Sequence, residues 1–371
     1  MSTTVRRIGV LTAGGDCPGL NAVIRAVTKD ALFHGIEVMG IEDGFLGLIE
    51  GRLRPLRATE VSNLLTVGGT ILGSSNRANP LRFATGTKPD GSPVIEDVSE
   101  RALRHLAEHR LDAVVAIGGD GTMSICKEFA VRASELGAEA RFVGVPKTID
   151  NDLVGTEITF GHATAVSIAT EALDRVHTTA ASHHRVMVVE VMGRNAGWIA
   201  LHAGLASGSD VILIPEIPFH FETVCDTILS RSRRGKRFSI LCVAEGAAPV
   251  GGKQKVARLD PTSPDPVRLG GIGEWLADAI ERETRIESRY VVLGHTQRGG
   301  TPVAADRILA TTLGHRAMEL IRDGRFGRMV AVQSGRVSDV AIEDVGGRQR
   351  TIEADNPVLA AARSVYTEFG E

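Results

Sequence analysis

The stretch IGVLTAGGDCPGLN spans residues 8–21 and sets the pattern for the rest of the chain. The apolar run Ile8–Thr12 ends in the glycine pair Gly14 and Gly15, and helix-favouring residues follow over Leu20–His34. A short apolar run, a tight glycine turn and a helix form the repeating unit of α/β proteins. The stretch therefore predicts a buried strand, a turn with exposed backbone amides, and a helix.

The same unit recurs along the chain, with apolar runs of four to six residues that show no alternation. Runs of this kind are typical of strands buried on both faces of a parallel sheet. The predicted strands are Ile8–Thr12, Ala113–Ile117, Phe142–Val145, Val186–Val191, Val211–Ile214, Ile240–Ala244, Tyr290–Leu293 and Met329–Val332. The predicted helices are Leu20–His34, Glu100–His109, Ala163–Thr179, Phe221–Arg233, Ile272–Arg285 and Asp306–Asp323. We expect an α/β fold of two Rossmann-like, doubly wound, three-layer halves with largely parallel sheets.

Composition narrows the classes of function. The 371 residues are 43% hydrophobic, and 42 basic against 45 acidic side chains leave a net charge of −3. This near balance disfavours a nucleic-acid or membrane-surface binder. The 42 glycines exceed the roughly 26 expected at about 7% usage, so we expect many turns that expose backbone.

Nothing in the sequence indicates export or a membrane anchor. The cysteines Cys17, Cys126, Cys225 and Cys242 form no CxxC pair, which disfavours a zinc site or a disulfide framework. We find no signal-peptide pattern and no apolar run near the ~20 residues of a membrane span. A cytoplasmic protein is expected.

Two segments have the composition of exposed loops. Gly251–Gly271 is rich in proline and glycine and predicts a surface insertion loop, and Lys88–Pro93 predicts an exposed turn. The residues from Val337 onward carry no motif.

Glycine and charged residues follow almost every predicted strand. In open α/β sheets, ligands bind outside the carboxyl ends of the strands, and glycine turns that enter helices offer free backbone amides to anions. Neither a GxxxxGK[ST] nor a GxGxxG pattern is present. The strand-end motifs are GGD (14–16), GGDGT (118–122), PKTIDND (146–152), MGR (192–194), EG (245–246) and HTQRGG (295–300).

Three aspartates in these motifs have two readings each. Asp120 could cap a helix, or could bind Mg²⁺ together with phosphate oxygens. Asp150 and Asp152 could form an Asx-turn, or one could be a general base while the other tunes the local charge or holds a metal-bound water.

Arginines favour the catalytic readings. Arg185, Arg194, Arg289 and Arg298 adjoin strands, and His295 lies close to the last of them. Arginine in this position suits bidentate recognition of phosphate. A phosphorylated substrate, a second phosphate on a glycine turn, a metal carboxylate and a base are the components of phosphoryl transfer.

At these residues the sequence resembles the bacterial-type 6-phosphofructokinases, including the group with mixed ATP and pyrophosphate use. The resemblance runs from about Arg7 to Gly335 and rests on long motifs in order. These are LTAGGDCPGLNAVIR, DGFLGL, GGTILGSSNR, IGGDGT, PKTIDND, SHHRVMVVEVMGRNAG, VAEG and VLGHTQRGG. It implies transfer of a phosphoryl group from ATP to the 1-hydroxyl of fructose 6-phosphate, in a cleft between two domains.

The resemblance also implies roles for the matching residues. Asp150 is expected to be the base, Thr148 and Arg194 to stabilise the moving phosphoryl group, and Asp120 to bind Mg²⁺. The expected donor ligands are Gly15, Arg77, Ala78, Gly119, Asp120, Gly121 and Thr122. The expected ligands of the sugar phosphate are Thr148, Ile149, Asp150, Arg185, Met192, Gly193, Arg194, Glu245, Arg289, His295, Thr296, Gln297 and Arg298.

The resemblance further implies a domain division and an assembly. The larger, donor-binding domain is expected to comprise residues 1–160 plus about 297–345. The smaller, sugar-phosphate domain is expected to comprise about 161–296 plus 346–371. Because the family counterparts of Arg185 and Arg289 reach a neighbouring subunit's site, a homodimer or homotetramer is expected.

Two positions bear on the phosphoryl donor. Gly121 resembles ATP-dependent members, since the aspartate of pyrophosphate users would collide with a nucleotide α-phosphate there. Lys147 resembles pyrophosphate users. Steric exclusion outweighs an extra cation, so ATP is favoured and pyrophosphate is the alternative.

Two further alternatives come from other classes of protein. An NAD kinase-like or lipid kinase-like enzyme would share GGDGT but would lack PKTIDND and HTQRGG, which are present. A non-catalytic sugar-phosphate-binding subunit would be expected to lose Asp120 or Asp150, which are retained.

Overall fold

The computed structural model describes residues 5–259 and 267–371. Its strands are β1 Arg7–Thr12, β2 Glu37–Ile41, β3 Leu53–Pro55, β4 Phe83–Thr87, β5 Pro93–Glu96, β6 Ala113–Gly118, β7 Phe142–Thr148, β8 Phe160–Gly161, β9 Val186–Val191, β10 Val211–Leu213, β11 Ser239–Ala244, β12 Val256–Leu259, β13 Val267–Leu269, β14 Ser288–Val292, β15 Arg328–Gln333 and β16 Arg336–Ala341. Its α-helices are α1 Leu20–Phe33, α2 Phe45–Glu50, α3 Ser99–Glu108, α4 Asp120–Glu135, α5 His162–His183, α6 Trp198–Ala206, α7 Phe221–Arg233, α8 Ile272–Thr284, α9 Ala304–Arg322 and α10 Pro357–Ser364. Short 3₁₀ helices span Gly294–Arg298 and Ile342–Asp344.

The larger sheet has the order β16-β15-β7-β6-β1-β2-β3, with β8 beside β7. Its central strands β2, β1, β6, β7 and β15 run parallel, and only the outer strands β3 and β16 are antiparallel to their neighbours. Ile8 pairs with Ala113 and Thr12 with Ile117. Because β1, β6 and β7 are parallel neighbours, the turns that follow them emerge side by side at one edge of the sheet.

The smaller sheet is wholly parallel, with the order β10-β11-β9-β14. Strands β9, β11 and β14 lead directly into the segments that begin at Met192, Glu245 and Gly294. Parallel order brings these segments together at the carboxyl edge, as it does in the larger sheet.

Helices cover both faces of the larger sheet, so its strands have no polar face. Val10 and Val115 pack in one apolar cluster with Ile24 of α1. Their neighbours Leu11 and Val114 point the other way and pack with Phe129 of α4. Burial of each such side chain stabilises the fold by about 1.5–3 kcal/mol, and this explains why the strand runs lack alternation.

The predicted fold class is confirmed: the chain has a two-sheet α/β fold with largely parallel sheets. All eight predicted strands and six predicted helices are present, with ends that differ by at most four residues. The four cysteines are free and buried. Among the described residues, no helix combines the length and apolarity needed to cross a membrane.

The interpretation of Gly251–Gly271 as a loop is wrong at Val256–Leu259 and Val267–Leu269, which pair antiparallel and are called the β12–β13 hairpin below. Residues 260–266, which include the three prolines of the segment, lie outside the described residues. The proline and glycine content obscured these two short strands. Lys88–Pro93 does contain an exposed turn, which joins β4 to β5.

The C-terminal segment crosses from one sheet to the other. The amide of Gly347 donates to Asp120 at the start of α4, 2.6 Å away. Farther along, the amide of Ile212 in β10 donates to the carbonyl oxygen of Glu368 at 2.9 Å. The last 25 residues therefore connect the carboxyl edge of the larger sheet to the outer strand of the smaller one.

Candidate active site

The two glycine turns lie side by side at the carboxyl edge of the larger sheet, where Gly15 and Gly119 line the same two cavities. Lys147, at the end of β7, is buried and donates a hydrogen bond from Nζ to the carbonyl oxygen of Gly15 at 2.5 Å. A Cβ on Gly15 would lie 2.5 Å from Nη1 of Arg298, so a larger residue there would displace the guanidinium. The turn thus holds backbone, an ammonium and a guanidinium in contact, an arrangement suited to an anion.

A cavity of about 420 Å³ opens beside these turns. Its walls include Ala13, Gly14, Gly15, Phe45, Asn76, Arg77, Ala78, Gly119, Gly121, Thr122, Ile125, Glu128 and Lys147. Six of the seven expected donor ligands therefore line one cavity. Phe45 and Ile125 make part of the wall apolar, whereas its glycines, Arg77 and Lys147 offer backbone and positive charge. The cavity can hold a group that combines a polyphosphate with a flat, less polar part.

The seventh expected donor ligand, Asp120, lies in an adjoining pocket of about 150 Å³. This pocket is lined by Gly15, Asp16, Gly119, Asp120, Lys147, Thr148, Ile149, Asp150, Asp152 and Arg298. It contains four carboxylates and two cations, so acidic side chains outnumber basic ones there.

Asp150 is the most perturbed carboxylate of this pocket. Burial raises its pKa to about 7, the nearby Asp152 carboxylate adds to the rise, and the Arg298 guanidinium opposes it. Its Oδ1 atom is buried and has no hydrogen-bond partner in the protein. A buried acceptor without a donor is costly to maintain, and a pKa near neutrality suits a general base. Asp150 therefore has the environment of a proton acceptor.

The backbone around Asp150 is unusual. The Asp150 amide donates to Oγ1 of Thr148 at 3.1 Å, and Asn151 has a left-handed φ of 51°. Asparagine tolerates this region better than most residues. Burial also raises the pKa of Asp152, against a hydrogen bond from Thr148.

Asp120 is the candidate metal ligand. Burial raises its pKa, and the backbone amides of Gly347 and Arg348 oppose the rise. Within residues 5–259 and 267–371, no group of three or more His, Cys, Asp or Glu side chains has metal-binding geometry. A single carboxylate beside a phosphate cavity fits Mg²⁺, which is usually held by one or two carboxylates together with substrate phosphates and water.

A third cavity, of about 580 Å³, lies between the carboxyl edges of the two sheets. It is lined by Gly15, Asn76, Asp150, Met192, Arg194, Glu245, Ala257, Val267, Leu269, His295 and Arg298. It therefore collects six of the expected sugar-phosphate ligands, Asp150, Met192, Arg194, Glu245, His295 and Arg298. Burial raises the pKa of Glu245, with a further rise from Glu190 and opposition from Arg298 and Arg194.

Part of this cavity was missed by the sequence reasoning. Ala257, Val267 and Leu269 come from the β12–β13 hairpin, and Nη2 of Arg194 donates to the carbonyl oxygen of Val267 at 2.8 Å. These side chains are plain apolar residues without a motif, so no sequence signal was available. Asn76 also lines two cavities; its place beside Arg77 was the one available hint.

Three expected ligands support the cavity wall from behind. Gln297 is fully buried and accepts from the amide of Met192 at 3.3 Å, while Thr296 donates to the carbonyl oxygen of Leu293 at 2.6 Å. Gly193 accepts from the amide of Gly246 at 3.1 Å and has a φ of 137°. None of the three lines the described cavities.

Arg185 and Arg289 do not join the other arginines within one chain. They lie at the amino ends of β9 and β14, the edge opposite the cavities, and both pair with Glu287. The Nε atom of Arg185 is 2.8 Å and the Nη2 atom of Arg289 is 2.6 Å from this carboxylate. A role for them at a phosphate requires a site on another copy of the chain.

The described site is thus a cleft of an α/β protein, with a glycine-lined anion cavity on one side and an arginine-rich cavity on the other. A family model described as Phosphofructokinase matches residues 7–321. The chain belongs to the phosphofructokinase family.

Relatives along the full length carry two kinds of name. "ATP-dependent 6-phosphofructokinase 2" of Clostridium perfringens is 45% identical, with 100% of both chains covered. "Pyrophosphate--fructose 6-phosphate 1-phosphotransferase" of Amycolatopsis mediterranei is 48% identical, over 94% of this chain and 97% of that protein. The phosphofructokinase structure from Saccharomyces cerevisiae matches with a TM-score of 0.76 at 29% identity; the match covers 91% of this chain and 45% of that chain.

Proposed function

We propose that this protein transfers the terminal phosphoryl group of ATP to the 1-hydroxyl of fructose 6-phosphate, giving fructose 1,6-bisphosphate and ADP. One observation carries the proposal: Asp150, whose Oδ1 atom has no partner, lines both the pocket of Asp120 and the acceptor-side cavity, and Gly15 lines these two and the donor-side cavity. Full-length relatives named as ATP-dependent 6-phosphofructokinases support the same reaction.

Each side of the cleft has a separate task in this reaction. Arg298 and His295 bind the phosphate of the sugar, Glu245 accepts hydrogen bonds from its hydroxyls, and Asp150 takes the proton of the 1-hydroxyl. Arg194 and Thr148 stabilise charge on the phosphoryl group in flight. Since phosphoryl transfer has a loose transition state, positioning and charge stabilisation supply most of the rate.

Asp120 would hold Mg²⁺, with donor phosphate oxygens and water as the other ligands. When bound, the ion neutralises charge that develops on the donor phosphates. The amides of Gly347 and Arg348 orient the Asp120 carboxylate toward this task.

The space at Gly121 supports ATP as the donor. A Cβ on this residue would meet nothing within 4 Å, so the cavity is open there for a nucleotide. Pyrophosphate is the second candidate, because Lys147 borders the same cavity and relatives that share about half of the sequence are named pyrophosphate-dependent.

A coupled assay of fructose 1,6-bisphosphate formation, run with ATP and with pyrophosphate under identical conditions, tests the donor. We expect turnover with ATP; turnover with pyrophosphate alone would overturn this choice. In the same assay, Asp150→Ser should lower kcat by roughly 10²-fold or more with little change in KM for fructose 6-phosphate. Asp174→Ser, on the exposed face of α5, is the matched control and should retain full activity.

The assembly and the domain division belong to the same proposal. Arg185 and Arg289 would complete the sugar-phosphate site of a neighbouring subunit in a homodimer or homotetramer that acts in the cytoplasm. The donor domain would comprise residues 1–160 and about 297–345, and the sugar-phosphate domain the remainder.

A further inference from the structure

The loop that carries Asp150 includes a residue with a left-handed backbone. Asn151 has a φ of 51°, is buried, and stands between the two aspartates of the catalytic pocket. This region costs most residues other than glycine about 1–2 kcal/mol, and asparagine is among the few that enter it more readily. Such a conformation persists when neighbouring groups hold it in place.

Arg350 of the C-terminal segment holds one side of this loop. Its Nη1 atom donates to the carbonyl oxygens of Asn151 at 3.2 Å and Glu157 at 2.9 Å. Its own backbone amide donates to the carbonyl oxygen of Asp152 at 2.7 Å. One residue therefore binds two successive carbonyl oxygens directly after the base.

The same arginine is fixed to the smaller sheet. Its guanidinium carbon lies 4.2 Å from the centre of the Trp198 ring, and Trp198 Nε1 donates back to the Arg350 carbonyl oxygen at 3.2 Å. Trp198 is the first residue of α6, which packs against β10 and β11. Arg350 thus connects the catalytic loop of the larger sheet to a helix of the smaller one.

A buried histidine pair holds the other side of the loop. His162 Nδ1 lies 2.6 Å from the carbonyl oxygen of Ile149, and its Nε2 lies 2.9 Å from Nδ1 of His202. Because the Ile149 oxygen can only accept, Nδ1 of His162 carries the proton and Nε2 accepts from His202. The ring of His202 in turn lies 5.7 Å from Trp198.

We infer that Arg350 is a positioning residue for phosphoryl transfer. It fixes the Asp150–Asp152 loop and couples the orientation of Asp150 to the position of α6. The inference rests on the proposed function for the chemistry, although the contacts themselves do not depend on it. Asp150 lies between a carbonyl held by His162 and a carbonyl held by Arg350, so the backbone on both sides of the base is fixed. Since a displacement of about 1 Å can cost roughly 10²-fold in rate, removing one anchor should reduce turnover far more than substrate binding.

The test compares Arg350→Gln, Arg350→Lys and the control Arg363→Gln. Arg363 is a fair match: it also belongs to the C-terminal segment and lies over an aromatic ring, Phe369, at 5.5 Å, but its ion pair is with Glu371, away from the loop. We expect Arg350→Gln to lower kcat by about 10- to 100-fold with KM for fructose 6-phosphate within about threefold. Arg350→Lys keeps the positive charge and can still donate a hydrogen bond, so it should recover part of the lost kcat.

Two results would overturn the inference. One is an equal effect of Arg350→Gln and Arg363→Gln, and the other is a kcat of Arg350→Gln within about twofold of the unmodified protein.

A second readout separates this inference from the proposed function. Amide hydrogen exchange of residues 149–153 should become faster in Arg350→Gln and stay unchanged in Arg363→Gln, whether or not the protein turns over fructose 6-phosphate. If the unmodified protein is inactive with both donors, the proposed function fails, and hydrogen exchange still decides whether Arg350 holds the loop. Unchanged exchange in Arg350→Gln would overturn the inference even in an active enzyme.

Discussion

The ammonium of Lys147 donates its hydrogen bond to the carbonyl oxygen of Gly15, which joins the end of β7 to the first glycine turn. Burial lowers the pKa of Lys147, because the buried ammonium has lost its hydration. The neutral carbonyl oxygen of Gly15 replaces only part of that hydration. Lys147 borders both the donor-side cavity and the catalytic pocket. A phosphate entering there gains a charge-assisted contact without any movement of β7.

Gly121, which lines the same donor-side cavity as Lys147, should decide whether ATP or pyrophosphate binds. Gly121→Asp places a carboxylate in space that is open now, where it repels and crowds a nucleotide. We expect kcat/KM for ATP to fall by roughly 10²-fold or more, while activity with pyrophosphate is kept or gained.

Gly121→Asn is the matched control, because it has nearly the same shape without the charge. A smaller loss in Gly121→Asn would assign the remainder to repulsion, and equal losses would assign the effect to bulk alone. Undiminished use of ATP by Gly121→Asp would contradict the placement of the donor in this cavity.

Asp150, the proposed base, should lower the free energy of unfolding at neutral pH. Since burial raises the pKa of Asp150 to about 7, the unfolded chain loses this proton at a lower pH than the folded protein. The free energy of unfolding therefore falls as pH rises from about 4 to 7, by about 1.4 kcal/mol for each pH unit in that window. Asp150→Asn removes this penalty and should raise Tm by a few degrees at pH 8 but hardly at all at pH 4, as thermal unfolding would measure.

Asp174→Asn, on the exposed face of α5, controls for the loss of one charge and should leave Tm unchanged at both pH values. A Tm gain for Asp150→Asn that is the same at pH 4 and pH 8 would argue against a raised pKa of Asp150.

The strand-end motifs could be predicted to converge because parallel order follows from apolar runs buried on both faces. Asp150, Arg194, Glu245 and Arg298 each stand just after such a run, so their meeting at one cleft is a consequence of topology. Their individual roles, in contrast, rest on the resemblance to the phosphofructokinases.

Arg350 and the β12–β13 hairpin could not be found in this way. Arg350 reaches the loop at Asn151 from 199 residues away, and no local pattern distinguishes it from the solvated arginines around it. Val267 reaches Arg194 through a backbone carbonyl, which any residue could provide. Contacts made by backbone atoms or by distant single residues leave no periodicity or motif in a sequence.

Arg185 and Arg289 yield a prediction about assembly, since each lies far from the cavities of its own chain. If a neighbouring subunit supplies them, Asp150→Ser and Arg289→Ala damage different halves of a shared site. Refolding the two inactive variants together should then restore about a quarter of normal activity, because half of the dimers are mixed and each mixed dimer has one intact site. Either variant refolded alone is the control, and absence of recovery in the mixture would place Arg289 outside the neighbouring site.

The contact of the C-terminal segment with Asp120 yields the last prediction. A Cβ on Gly346 would lie 2.9 Å from both the Cα and the N atoms of Ser124 in α4, so Gly346→Ala forces the segment away from the helix. The Gly347 amide then leaves Asp120, whose carboxylate loses a donor that fixes its orientation. An outer partner of a metal ligand is worth about 10- to 100-fold in metal affinity. We therefore expect Gly346→Ala to weaken the binding of Mn²⁺, a spin-active substitute for Mg²⁺, by about 10-fold or more. Electron paramagnetic resonance in the presence of ATP would measure this affinity. Gly86→Ala in the exposed β4–β5 hairpin, where the nearest atom is 4.0 Å away, adds the same methyl group at no cost to the site. If both variants bind Mn²⁺ equally well, the C-terminal segment does not orient Asp120.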